Sequence, residues 1–512
     1  MPERVRDIVI VGGGTAGWMA AAAFAKALGA QRHRITLIES EEIGTVGVGE
    51  ATIPPILHYN RLLDIAEDEF VRETWATFKL GIEFVDWRRP GQTYFHPFGL
   101  YGAGIPTGVG FMHYWLRWVS EGGDPDFHRF SAETEAAFQG KFGRAGPSPD
   151  GQLPGINYAY QFDAATYAAY LRRYSEKRGV VRLEGKVVDV EQNGESGFIE
   201  AVKMADGRRI PGDFFIDCSG FRALLIEGAL EAGFDDWSEW LPNNRAAAVP
   251  CERVEDPTPF TRSTSREAGW QWRIPLQHRT GNGYVFCDAY IAADEASRLL
   301  LERLDGKALA DPKLLSFKAG RRRKSWVKNC VAVGLSSGFL EPLESTSIHL
   351  IQVAIMKLLE LFPNRHVNPG LIDHFNREIE ELYHETRDFI IAHYKVTERD
   401  DTPFWQYCKN MNVPDSLQAR LELFRERGEV RRAQTALFSE TSWFAVLYGQ
   451  GLRPEGYHPV ADSYPEDELA LTLARIRGAI KRRVDGLPAH QKFIDSNCRA
   501  DLDLAEAQGP AG

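Results

Sequence analysis

The order of patterns along this 512-residue chain predicts an α/β fold followed by a mostly helical C-terminal region. Three observations carry that reading. The chain opens on an apolar strand, a glycine-rich turn and an alanine-rich helix; strand-like runs then alternate with helical patterns up to about residue 360; and long helical patterns dominate after about residue 365. We therefore expect a discontinuous sheet-containing domain over 1–364 and a helical C-terminal domain over 365–512.

The first element is Ile8-Val-Ile-Val-Gly12-Gly13-Gly14-Thr15-Ala16-Gly17, a buried strand running into G-x-G-x-x-G. Each glycine serves a mechanical purpose. Gly12 permits the tight turn, Gly14 lets a pyrophosphate approach the backbone, and Gly17 allows close packing of helix on strand. The helix N-terminus, with Thr15 and Ala16, then offers unpaired N–H groups to phosphate. A second strand, Arg34 to Ile38, runs into Glu39, 22 residues beyond Gly17, where a carboxylate can accept from ribose hydroxyls. The module is Rossmann-type and binds a dinucleotide. Asp217-Cys-Ser-Gly-Phe-Arg222 and Asn329-Cys-Val-Ala-Val-Gly334 resemble the later strand-and-turn segments of FAD-dependent monooxygenase-like folds, so FAD is favoured over NAD. Gly49, Glu50, Ala51, Val187 and Gly334 join the expected cofactor-facing set.

Further strands are expected at Phe78 to Phe84, Phe214 to Ile216 and Tyr284 to Ala289, with a Gly/Pro-rich loop from Gly143 to Gly155. In Phe78 to Phe84, Phe78, Leu80, Ile82 and Phe84 share one face while Thr77, Lys79, Gly81 and Glu83 share the other. Helices are expected at Ile348 to Phe362, Leu371 to His393, Leu417 to Arg427 and Glu466 to Arg483, with a fraying tail from Asp501.

The formal charge of −11 leaves no basic field for nucleic acid or an anionic membrane. No apolar segment reaches the roughly 18 residues of a membrane span, and no signal peptide opens the chain, so a cytoplasmic protein is expected. The six cysteines form no C-x-x-C pair and read as core residues, and no metal-ligand spacing appears among the 13 histidines, so no metal site is expected. Arg321-Arg-Arg-Lys324 reads as a solvated charge run.

Four segments resemble the flavin-dependent halogenase family: Gly47-Val-Gly-Glu-Ala-Thr-Ile-Pro54, Lys79 within Thr77-Phe-Lys-Leu-Gly81, Trp270-Gln-Trp-Arg-Ile-Pro275, and Phe339-Leu-Glu-Pro-Leu-Glu-Ser-Thr-Ser347. The resemblance covers roughly residues 5 to 460. It implies an FADH2-dependent enzyme that oxidises halide, chloride or bromide, and delivers electrophilic halogen to a small aromatic substrate, with a separate reductase supplying the flavin. Taken alone, Lys79 reads as a lysine on a solvated strand face; the resemblance makes it the amine that carries hypohalous acid. Glu344 reads either as a first-turn acid favoured by the helix dipole or, by resemblance, as the catalytic carboxylate opposite Lys79. Ser345, Thr346 and Ser347 are natural caps of the following helix, and the resemblance assigns the halide to Thr346 and Ser347. Trp270 and Trp272, two residues apart on one strand face, are core indoles or, by resemblance, the barrier between flavin and substrate. His96 and Phe98 resemble the segment that stacks on an indole, with a satisfied core histidine as the other reading. Ala419 to Trp443 lacks the paired-tyrosine and acidic pattern of tryptophan-specific members, so an indole-like substrate is expected ahead of free tryptophan. An FAD-dependent aromatic hydroxylase and a tryptophan halogenase remain the alternatives, and the helical C-terminal domain is expected to cap the substrate site.

Overall fold

A computed structural model describes residues 3–29, 32–41, 49–102, 108–148, 153–431 and 436–501. Gly47 and Val48, the middle of the 143–155 loop, part of the 419–443 stretch and the tail beyond Asp501 lie outside the described residues.

The opening strand Asp7–Val11 is central to a six-stranded sheet in the order Trp326–Val327, Cys330–Ala332, Phe214–Asp217, Asp7–Val11, Arg34–Glu39, Val181–Glu184. It pairs in parallel with Phe214–Asp217 on one side and Arg34–Glu39 on the other. A parallel strand needs both faces covered, and its Ile8, Val9, Ile10 and Val11 are all buried. The helix Thr15–Leu28 covers one face through a run of alanines from Ala20 to Ala23, whose small side chains allow close approach. The connection to Arg34–Glu39 leaves the carboxyl end of the central strand, and the turn after the parallel neighbour Phe214–Asp217 opens at the same end, which places a crevice for a nucleotide there.

A second, seven-stranded sheet runs Lys313–Ser316, Arg245–Glu252, Arg279–Phe286, Gly269–Pro275, Thr261–Arg266, Gly81–Val85, Thr93–Pro97. A small sheet of Gly49–Ala51, Ala159–Asp163 and Thr77–Lys79 links the two, with Glu50 opposite Phe162 and Lys79 opposite Ala159. Phe78 to Phe84 is therefore two strands in two sheets. At Leu80 the chain leaves one ladder for the other: its N–H donates to the Pro259 carbonyl and its own carbonyl accepts from Phe98 N–H. The later strand also begins earlier than expected and ends at Phe286.

Among the described residues, everything after Phe339 is helical or irregular apart from isolated bridges. Helix Ser347–Glu360 buries Ile348, Ile351, Ile355 and Leu358 at helical spacing. Helix Pro369–Lys395 starts with Asn368 capping Gly370 N–H and proline in its first turn. Its end, from Thr386 to Tyr394, is buried on all sides. One hydrophobic cluster contains residues from Val5 to Cys498 and so crosses position 364. All six cysteines are free and buried. The basic run is solvated only in its second half: Arg323 and Lys324 are exposed, whereas Arg321 is buried and pairs with Glu380 and Asp235, and Arg322 pairs with Glu227.

Candidate active site

At the carboxyl end of the first strand, Gly12 adopts φ +113°, and a Cβ there would run into the Cys218 carbonyl. The next helix has no side-chain cap, and a Cβ on Gly14 would meet nothing within 4 Å, so its N–H groups face open space. Gly334, at φ +72°, comes so close that its Cβ would lie 2.8 Å from that of Ala16. Asp217, not singled out as a site residue by sequence, ties the two later turns together. It accepts from Ser219 N–H (2.9 Å) and Ser336 Oγ (3.1 Å) with one oxygen, and from Leu225 and Ile226 N–H (2.8 and 2.9 Å) with the other. Glu39 is held by Trp18 Nε1 at 3.2 Å and by Arg182, and Glu184 pairs with it three residues before Val187. Glu50 lies half-buried on its short strand, and desolvation pushes its carboxyl up to about 7. An uncapped helix start after a glycine turn, with the Glu39 carboxylate beside Gly13, fits a dinucleotide such as FAD.

Lys79 is completely buried. Its ammonium donates to Ser345 Oγ at 2.7 Å and lies 5.1 Å from the centre of the Phe98 ring. Desolvation lowers its pKa to about 7, and the charge of Glu344 offsets only part of that. Both protonation states of the amine are therefore accessible at neutral pH.

Ser345 reaches Lys79 because it sits in the left-handed region at φ +57°, at the end of the single turn Pro342–Glu344. The same turn drives Glu344 inward, where it is fully buried. Its Oε2 contacts His96 Nδ1 at 2.9 Å and its Oε1 contacts His393 Nε2 at 2.8 Å. Burial raises the Glu344 pKa, but His96 and His393 together outweigh it and hold the carboxyl at about 2. His96 is buried and hydrogen-bonded, and half-buried Phe98 lies beside the amine. The expected caps do not cap: Ser345 is diverted to Lys79, and Thr346, at the N-cap of helix Ser347–Glu360, leaves its Oγ1 buried without a partner. A helix start with a free buried hydroxyl fits a small anion.

The indoles of Trp270 and Trp272 project from one face of Gly269–Pro275, buried, with ring centres 6.1 Å apart. Trp270 Nε1 donates to Glu341 Oε2 at 2.7 Å, as do Tyr394 Oη (2.7 Å) and Asn243 Nδ2 (3.0 Å). Sequence patterns gave no sign of His393 and Tyr394, because they come from a distant helix end; Glu341 could have been found from its place three residues before Glu344.

A family profile for tryptophan halogenase matches residues 7–466. The chain is 36% identical to tryptophan 7-halogenase RebH of Lentzea aerocolonigenes, over 96% of this chain and 99% of that protein. Among solved structures it is similar to Xcc4156, a flavin-dependent halogenase from Xanthomonas campestris, with TM-score 0.93 and 48% identity over 97% of this chain and 99% of that one. It is also similar to BrvH, a flavin-dependent halogenase from Brevundimonas sp. BAL3, with TM-score 0.92 and 44% identity over 96% and 99%.

Proposed function

The chain belongs to the tryptophan halogenase family and is a flavin-dependent halogenase; from that premise we propose that it halogenates a small, indole-like aromatic substrate with chloride or bromide, using Lys79 to carry the halogen. The observation that carries the reading is the fully buried Lys79 amine, bonded to the residue next to Glu344 at the start of a helix suited to an anion.

When bound, FADH2 with dioxygen supplies the two-electron oxidation that turns halide into hypohalous acid. Gly12, Gly14, Thr15, Ala16, Gly17, Glu39, Gly49, Glu50, Ala51, Val187 and Gly334 would hold the cofactor. Thr346 and Ser347 hold the halide through the free hydroxyl and the helix N–H groups. Trp270 and Trp272 bar the organic substrate from the flavin while leaving room for a small ion. Lys79 takes the hypohalous acid, as a donor to its oxygen or as a nucleophile toward halogen. Glu344 places negative charge near the cationic ring intermediate. His96 and Phe98 flank the ring, and the helices of 365–512 cap the chamber. The walls near this chamber include Phe389 and Phe438, stacked with ring centres 3.7 Å apart, and Arg420, the cation over Trp443, is already paired with Glu385. An apolar arene suits such walls better than an amino-acid zwitterion. A separate reductase supplies FADH2, and the enzyme works in the cytoplasm; no helix among the described residues is long and apolar enough to cross a membrane.

The names of curated relatives favour free tryptophan as a second reading. One assay separates the two. Purified protein is given chemically reduced FAD, bromide or chloride, and either an indole panel or L-tryptophan, and products are read by the halogen isotope pattern in mass spectra. We expect halogenated indoles to exceed halogenated tryptophan and Lys79→Ala to make neither. Oxygenated products in their place would establish the hydroxylase reading, and no product with active reduced flavin would overturn both.

A further inference from the structure

The hydrogen-bond directions around Glu344 fix the positions of protons. His393 Nδ1 lies 2.8 Å from the main-chain carbonyl of Phe389, one turn back in its own helix. A carbonyl only accepts, so Nδ1 carries a hydrogen. The contact between His393 Nε2 and Glu344 Oε1 must then hold a second proton, either on nitrogen beside a carboxylate or on oxygen facing a neutral imidazole. In both cases the pair is neutral overall, and Oε2 is left as an acceptor. His96 therefore carries a hydrogen on Nδ1 and donates it to Oε2, which leaves Nε2 on the side of the ring turned away from the carboxylate. Among the described residues the His96 ring hydrogen-bonds only through Nδ1, to Glu344. The ring lies near Phe389 and Phe438, with centres 5.7 and 6.5 Å away, and two residues before Phe98, whose ring adjoins the Lys79 amine.

A buried carboxylate that fixes the tautomer of an imidazole and leaves its far nitrogen free is the arrangement that prepares a general base. On the halogenase reading above, we propose that His96 Nε2 takes the proton that leaves the aromatic ring, with Glu344 orienting it and His393 as the positioning residue that occupies the other Glu344 oxygen. The ring attacks halogen with a π pair; the carbon–halogen bond forms as the halogen–oxygen bond of hypohalous acid breaks, its pair leaving with oxygen as hydroxide. Lys79 ammonium protonates the hydroxide to water. The C–H pair then returns to the ring as the proton passes to His96 Nε2, and the resulting imidazolium is held by Glu344. Both Glu344 oxygens are engaged by histidines, which suits the carboxylate to stabilising charge and not to receiving the proton.

The test is a competition between indole and ring-deuterated indole for bromination, read by mass spectrometry. While a base stands ready, loss of the ring proton is fast and the wild-type enzyme takes both equally. His96→Gln keeps a donor to Glu344 but has no basic nitrogen. We expect its yield to fall by about 100-fold and unlabelled product to exceed labelled by about twofold or more. His393→Gln cannot carry the positive charge and should show the same discrimination with His96 intact. His96→Ala gives a second reading, since added imidazole should restore yield and abolish the discrimination. An active His96→Gln enzyme with no isotope preference, or a His96→Ala enzyme that imidazole fails to rescue, would overturn the proposal. A wild-type enzyme that brominates no indole would instead overturn the functional reading on which it rests.

Discussion

Replacing Lys79 by methionine tests whether a buried amine is kept at a cost to stability. The side chain is completely buried and its pKa falls from 10.5 to about 7. The unfolded chain therefore holds this proton up to about pH 10.5, while the folded protein releases it from about pH 7. Between those values the unfolded state binds more protons, so stability rises with pH, by about 1.4 kcal/mol per pH unit. The penalty is roughly 5 kcal/mol below pH 6, about 4 kcal/mol at pH 7 and about 2 kcal/mol at pH 9. Methionine has similar length, no proton to lose and no burial cost; the bond it forfeits to Ser345 is worth about 1 kcal/mol at any of these pH values. Denaturant unfolding of both proteins at pH 7 and pH 9 should show the advantage of Lys79→Met growing by about 2 kcal/mol at the lower pH, while halogenation is lost. An advantage that does not change with pH, or one that grows with pH, would refute the reasoning.

Three further outcomes follow from the geometry. Gly283 faces Trp272 across the ladder, and a side chain there would land inside the indole, so Gly283→Val should tilt the barrier and raise peroxide released per halogenated product severalfold, measured by a coupled peroxide assay. In Gly334→Val the new Cβ meets Ala16 and the residue must leave φ +72°; flavin fluorescence titration should show FAD binding weakened by about 10-fold or more, a loss of about 1.4 kcal/mol. Thr346→Val removes a buried hydroxyl that has no partner, so the unfolding free energy should hold or rise by up to about 1 kcal/mol while the halide KM rises by about 10-fold, read from initial rates against bromide concentration.

The nucleotide groove was legible because its demands are local. Gly12, Gly14 and Gly17 stand at fixed spacing after an apolar strand, and what each does for the backbone depends on no distant residue. Lys79 was legible only by resemblance, because its burial depends on a break at Leu80 that moves the chain between sheets. Alternation continues unbroken through Phe78, Leu80 and Ile82, so periodicity reads one strand where hydrogen bonding to Pro259 and Phe98 makes two. His393 was not legible at all. It lies in an apolar helical run in which a histidine looks like any other core residue, and its meaning comes from a carboxylate 49 positions away. The cap residues misled for a related reason: Ser345 and Thr346 have the right chemistry to close a helix, but one is recruited by Lys79 and the other is left free.

The arrangement of these groups explains why the amine stays titratable. A lysine buried against a bare carboxylate would form an ion pair and remain fully protonated, unable to act as a nucleophile toward halogen. Here Glu344 is turned toward His96 and His393, while Lys79 bonds to the neutral hydroxyl of the next residue, Ser345. The histidines absorb the charge that would otherwise fix the proton on the lysine, and desolvation then brings the amine down to about 7. The neighbouring carboxyl of Glu341 is used differently. Burial raises its pKa, and its three donors fix Trp270 on one side and Tyr394 on the other. His393 and Tyr394, adjacent at one helix end, thus hold both acids of the Glu341-to-Glu344 turn: one fixes the Trp270 indole, and the other places charge near the amine.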